Sequence, residues 1–297
     1  MTRSVLVTGG SGFIGRHVVR ALVAEGHHVV VADRHEHPDV PTVVGELTDH
    51  SVRNRAVTDE VEAVVHLAAE TSVLGSMQRP YLVHRVNVEV TGALLELSRE
   101  RGVETFVHAS TNAVVGALDG TFTEDVALRP LTPYGATKAA AEMLLSGYAG
   151  AYGLRTPVLR LTNVYGPGMK EKDSFVPRML KAAARDGGVQ VYGDGLQRRD
   201  LVHVHDVARA FVLAVAGWPS GPTIVGSGSS VTVLDMLAAA REATGRSIPA
   251  EHVAAKEGEM PAVVVDIARA RSLGWEPTVS LGEGMATAWA DLAPTLS

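Results

Sequence analysis

Over the first 165 positions, short runs of branched apolar residues alternate with stretches whose apolar residues recur every three to four positions. SVLVTG (4–9), HHVVVAD (27–33), AVVHLAA (63–69), TFVHAS (105–110) and TPVLRLTN (156–163) are apolar at consecutive positions. Such strands are buried on both faces, as in a parallel sheet covered by helices on both sides. Between them, GRHVVRALVAEG (15–26) sets Val18, Val19, Leu22 and Val23 at helical spacing. VNVEVTGALLELSRERG (86–102) and PYGATKAAAEMLLSGYAGAYG (133–153) predict two longer helices, and DHSVRNRAVTD (49–59) a helix or turn. Strand–helix alternation of this kind implies an α/β fold with a doubly wound parallel sheet and right-handed crossovers.

The texture changes near residue 165. VYGPGMKEKD (164–173) is a Gly/Pro-rich loop, FVPRMLKAAARDGG (175–188) a helix and LVHVH (201–205) a strand. DVARAFVLAVAG (206–217) reads as a helix returning to the sheet, and short elements follow from about 221. The pattern predicts two units interleaved in sequence. Residues 1–165 and about 196–220 form the sheet domain; about 166–195 and 221–297 form a smaller, mainly C-terminal substrate-binding domain.

Composition narrows the function classes. Lys and Arg total 27 against 33 Asp and Glu, a net charge of −6 that argues against a nucleic-acid surface. The chain has no cysteine, which excludes disulfides, thiolate metal sites and a cysteine nucleophile. No apolar run approaches the roughly 18 residues of a membrane span. MTRSVLVTGG enters a strand without a secretory h-region. A soluble, cytoplasmic protein without a membrane or nucleic-acid partner is expected. His203 and His205 of LVHVH share one face of the predicted strand, but no third ligand lies at a sensible spacing, so no metal site is expected.

TGGSGFIG (8–15) stands between the first strand and the first helix, where a glycine loop offers free helix N–H groups to a pyrophosphate. It satisfies two spacings at once, through Gly10, Gly12, Gly15 and through Gly9, Gly12, Gly15. Asp33 ends the second strand, about 20 residues on, where a carboxylate accepts from adenosine ribose hydroxyls and repels a 2′-phosphate. That favours NAD over NADP. Arg34 beside it reads as a solvated residue or a lid over the adenine. YGATK sets Tyr134 and Lys138 one helical turn apart on one face. Tyrosine, ordinarily near 10, needs roughly 4 kcal/mol of help to act as a base near neutrality. A neighbouring ammonium and an oxidised nicotinamide supply effects of that size. Ser110 and Thr111 offer hydroxyls at the end of the strand before that helix.

With these motifs, the chain resembles the extended short-chain dehydrogenase/reductases, and among them the NAD-dependent nucleotide-sugar epimerase/dehydratase family, UDP-glucose 4-epimerase-like. The likeness runs through TGGSGFIG, HLAAE, VNVEVTG, STNAVVG, YGATK, LRLTNVYGPG, YGDGLQRRDLVHVHDVA and DIARARSLGWEPTVSLGEGM. It implies a Rossmann sheet, NAD as cofactor and Tyr134 as acid/base. Thr111 is then its partner, and Lys138 holds the nicotinamide ribose and lowers the tyrosine. It carries cofactor contacts to Gly9, Gly12, Phe13, Ile14, Gly15, Asp33, Arg34, Glu46, Leu47, Leu67, Ala68 and Ala69. Glu46 replaces a common Asp. Substrate contacts carry over to Thr71, Ser72, Asn163, Phe175, Val176, Tyr192, Arg199 and Lys256, with Asn87 as a support of the site. Lys256, Gly258, Glu259 and Met260 stand where the family usually has Arg and then Gly-Asp-Val. The selection of Tyr134 and Lys138 makes Gly9, Gly12 and Gly15 the working glycines and leaves Gly10 a turn residue.

Family dehydratases carry an Asp-Glu pair after the Thr, and decarboxylases a nearby Glu; here Asn112 and Ala113 follow Thr111. The resemblance therefore implies epimerisation at C4 of a UDP-, dTDP- or GDP-sugar. Reduction of a nucleotide keto-sugar with NAD(P)H and a non-catalytic dinucleotide-binding regulator are the alternatives. Val115 replaces a common Tyr. The family commonly dimerises through the 86–102 and 133–153 helices, so a homodimer is expected.

Overall fold

The computed structural model describes residues 2–255 and 262–296. Among these, seven strands form one parallel sheet: β1 (Ser4–Thr8), β2 (His28–Asp33), β3 (Thr42–Val44), β4 (Ala63–His66), β5 (Thr105–Thr111), β6 (Pro157–Leu161) and β7 (Gly221–Val225). Their order is β7-β6-β5-β4-β1-β2-β3, so the chain reverses direction across the sheet between β1 and β4. In open α/β sheets the crevice at the carboxyl ends of the two strands flanking that switch point is where ligands bind. Every residue of β4 and β6 is buried, as their unbroken apolar runs require.

The helices are α1 (Phe13–Ala24), α2 (His50–Ala56), α3 (Val73–Gln78), α4 (Pro80–His84), α5 (Val90–Glu100), α6 (Pro133–Tyr152), α7 (Phe175–Ala184), α8 (Val204–Ala216), α9 (Val233–Thr244), α10 (Ala268–Ser272) and α11 (Leu281–Leu292). Val18, Val19 and Leu22 of α1 and Phe211 and Val215 of α8 fill one side of the sheet. Leu94 and Leu95 of α5, Leu145 of α6 and Val52 of α2 fill the other. A third core joins Met179 and Leu180 of α7, Met236 and Leu237 of α9 and Met285 of α11. Fully burying each such side chain contributes about 1.5–3 kcal/mol.

Local signals set the helix that carries YGATK. Thr132 caps α6 by accepting from the Gly135 N–H, Pro133 fits its first turn, and Gly153 ends it with a left-handed φ of 70°. A π-helical turn over Arg85–Glu89 leads into α5 and buries Asn87.

Two local expectations change. The unit boundary near 221 falls inside the sheet: Gly221–Val225 pairs with Pro157–Leu161, because α8 returns the chain to the sheet and the apolar GPTIV completes its edge. The LVHVH strand ends at His203, whose Nδ1 accepts from the His205 N–H and starts α8. His205 therefore belongs to a helix, with its ring 4.7 Å from that of His203 and 5.0 Å from that of His17.

Candidate active site

A cleft of about 600 Å³ opens over the switch point. Its floor is built from the glycine loop. Gly9 takes a left-handed φ of 73°, and a Cβ there would stand 2.7 Å from the Ala68 backbone nitrogen. A Cβ on Gly15 would stand 2.2 Å from the Gly9 carbonyl oxygen, and one on Gly10 would meet a Val31 methyl at 2.5 Å. These three glycines permit close packing of loop, helix and strands. Gly12 differs, since the Gly9 carbonyl oxygen is the one group within 4 Å of its added Cβ. It caps α1 with no side-chain acceptor, which leaves the first-turn N–H groups for an anion.

Asp33 closes one end. One carboxylate oxygen accepts from the Ser11 N–H at 3.1 Å and the other from the His35 N–H at 3.2 Å, which fixes the group while lone pairs remain for ribose hydroxyls. Arg34, Glu46, Leu47, Leu67, Ala68 and Ala69 line the same space, as do Phe13 and Ile14. The cradle, the unbonded helix start and the fixed carboxylate fit a dinucleotide.

Thr111, Tyr134 and Lys138 stand together at the other end. The Lys138 ammonium donates to the Ala109 carbonyl at 2.9 Å, and burial pushes it down to about 8 while Glu142 draws it back up. Tyr134 is pushed up to about 12 by burial, with a hydrogen bond from Thr111 acting the other way. The expected lowering of the tyrosine by the lysine is thus not a property of the protein alone. The ammonium is engaged with the strand rather than with the phenol, and partial burial disfavours the phenolate. Thr111 also accepts from the Ala113 N–H at 3.2 Å, which holds the turn after β5.

The remaining expected contacts divide. Thr71 and Asn163 line the cleft, and Asn163 is steadied by donating to the Asp200 carbonyl at 2.9 Å. Phe175, Tyr192 and Arg199 line a second cavity of about 110 Å³ together with Gln190, Gln197, Val233 and Met236. Ser72 lines neither cavity and accepts from the Gly75 N–H as the cap of α3. Val176 is buried in the third core. Asn87 is a clasp behind the cleft: its amide accepts from the Glu70 N–H, donates to the Glu70 carbonyl and donates to Thr137. Lys256 lies outside the described residues.

Ser110, whose hydroxyl the strand end offers, lines the cleft; the residue patterns did not single out Glu70 and Lys172 as contacts, yet both line it too. Lys172 sits with its ammonium 5.9 Å from the Phe13 ring, and burial lowers its pKa. Its signal was faint, one lysine among several charges in a loop. Glu70 directly follows HLAA, which places it on the loop after β4.

Similarity to known proteins agrees with this geometry. Residues 5–225 match the model of the NAD dependent epimerase/dehydratase family. The chain is 31% identical over 296 residues to a putative UDP-glucose 4-epimerase of Methanocaldococcus jannaschii, covering 95% of each. It is 33% identical over 312 residues to a dTDP-glucose 4,6-dehydratase of Streptomyces griseus, covering 97% of this chain and 94% of that one. The crystal structure of a UDP-glucose 4-epimerase of Thermotoga maritima with UDP-glucose superposes with a TM-score of 0.94 at 33% identity, over 99% of this chain and 100% of that one.

Proposed function

Since the chain belongs to the NAD-dependent epimerase/dehydratase family and is an NAD-using enzyme of that family, we propose that it epimerises a nucleotide-activated sugar at C4. The observation that carries this reading is the turn after β5. Thr111 and Tyr134 both line the cleft, while Asn112 and Ala113 put no carboxylate behind Thr111 for eliminating water. NAD supplies a reversible hydride acceptor when bound. The chain's own groups do the rest. Tyr134 takes the proton of the C4 hydroxyl and returns it to the C4 oxygen once the keto sugar has turned its other face, with Thr111 orienting the hydroxyl. Lys138 contributes positive charge at the floor of the cleft, which favours the phenolate. The second cavity suits the nucleotide half, with Tyr192 and Phe175 for the base and Arg199 for the diphosphate.

The test is incubation with UDP-, dTDP- and GDP-sugars without added cofactor, followed by separation of the epimers. Interconversion of a C4 pair is expected, and Tyr134→Phe is expected to lower kcat by at least about 100-fold, the usual scale of a lost acid/base group. Turnover that needs added NADH or NADPH and a keto sugar indicates a reductase. NAD binding without turnover of any sugar nucleotide indicates a regulator. Either outcome overturns the proposal. The active form is proposed to be a homodimer joined through α5 and α6.

A further inference from the structure

Two consecutive residues of β5 each hold a different turn of α6. The Ala109 carbonyl accepts from Lys138 and the Ser110 hydroxyl donates to Glu142 Oε1, while Thr111, the next residue, lines the cleft with Tyr134. Glu142 is one turn beyond Lys138, as Lys138 is beyond Tyr134. Its carboxylate is 4% exposed and is gripped by Arg160: Nε lies 3.1 and 3.2 Å from its two oxygens and Nη2 2.8 Å from Oε2. Arg160, also 4% exposed, is the β6 residue directly beside Ser110 in the sheet register, and its Nη1 donates to the Glu124 carbonyl at 3.0 Å. Strand neighbours from two strands thus converge on one carboxylate of the helix that carries YGATK.

A buried ion pair is a poor way to gain stability, because well-packed apolar residues of the same volume do as well or better. This one lies along the helix from a second buried cation. We propose that Glu142 is a positioning residue whose carboxylate, fixed by Ser110 and Arg160, balances the charge of Lys138 and locks the end of β5 to α6. The direction of its effect on Lys138 agrees, since Glu142 opposes the loss of the lysine's proton to burial.

The other titratable and charged groups around Lys138 leave this task to Glu142. His66 of β4 and His108 of β5 are held well below their ordinary range by burial and are neutral. Tyr134 of α6 is held above its own by burial, and Arg160 of β6 adds positive charge. Glu70, on the loop after β4, lines the cleft with its backbone clasped by Asn87.

The proposal rests on Lys138 acting in the cleft and makes opposite predictions for the two halves of the pair. Glu142→Gln removes the carboxylate that bonds Arg160 and draws Lys138 up, so the lysine loses its proton at lower pH. Arg160→Met leaves Glu142 to Lys138 alone, so the proton is held to higher pH. NADH affinity, read by fluorescence from pH 6 to 10, is expected to weaken as Lys138 deprotonates. Relative to the wild type, that alkaline fall moves down by about one pH unit in E142Q and up by about one in R160M, the scale of one nearby charge. The alkaline limb of kcat/KM for epimerisation moves likewise. Should one variant fail to fold, the sign of the shift in the other decides. A wild-type affinity independent of pH, limbs that stay fixed, or shifts of one sign in both variants overturn the proposal. The NADH titration needs no sugar, so a failure to epimerise strikes the proposed function and leaves this result readable.

Discussion

Lys138 shows how far a single side chain is bent to its task. It is 3% exposed and titrates at about 8, against an ordinary value of 10.5. Folded chains therefore bind fewer protons than unfolded ones between those values, so this group makes stability rise with pH from about 8 to 10.5. Below 8 its burial costs a constant amount, roughly 3 kcal/mol. Lys138→Met removes that cost but leaves the Ala109 carbonyl without its donor, a loss of about 1 kcal/mol. The variant is expected to lose epimerase activity and yet to be about 2 kcal/mol more stable at pH 7. Its advantage shrinks toward pH 10, as urea unfolding of cofactor-free protein at both pH values will show. A lower stability than wild type at pH 7 contradicts a buried ammonium.

At the scale of elements, the site depends on how a loop and two helices are tied together. Asn87, 1% exposed within the π turn before α5, joins the backbone of Glu70 to Thr137, which in turn donates to the Tyr134 carbonyl. Asn87→Leu strands those buried groups, each worth about 1–3 kcal/mol when unsatisfied. It is expected to lower stability by roughly 2–4 kcal/mol in urea unfolding and to reduce kcat more than NAD affinity. An unchanged stability removes the clasp from the account. This layer was only partly legible in the sequence. Strands apolar on both faces, the glycine loop and the Tyr134/Lys138 spacing are local patterns, and each predicts its own element. The grip of Ser110 and Arg160 on Glu142 is a meeting of three distant segments, and no spacing encodes it. His205 failed as a strand residue for a local reason: the His203 imidazole accepts from the His205 N–H, as a capping side chain does, and the helix starts there. His37, in the loop after β2, is buried with Nδ1 accepting from the Asp39 N–H, a placement that no local pattern in that loop encodes.

For the whole molecule, the face formed by α3, α4 and α6 stays apolar on the outside. Leu74 is 76% exposed, Met77 61%, Tyr81 70% and Met143 58%, while small residues Ala136, Ala140 and Gly147 leave the outer side of α6 smooth. Scattered exposed apolar residues need no explanation, but a contiguous set on packed helices marks an interaction surface. The proposed homodimer, joined through α5 and α6, is expected to extend over this face. Two copies related by a two-fold axis present the same helices to each other, which is the commonest closed arrangement. Contact there is expected to buttress α6, the helix that carries Tyr134 and Lys138. Light scattering after gel filtration is expected to give about twice the 31.3 kDa chain mass. Met143→Glu, whose side chain points away from the cleft's Tyr134/Lys138 face, sets like charges against each other across the axis and is expected to shift the protein to monomer at micromolar concentration. A mass of two chains in M143E, or one chain in the wild type, places the contact elsewhere or removes it.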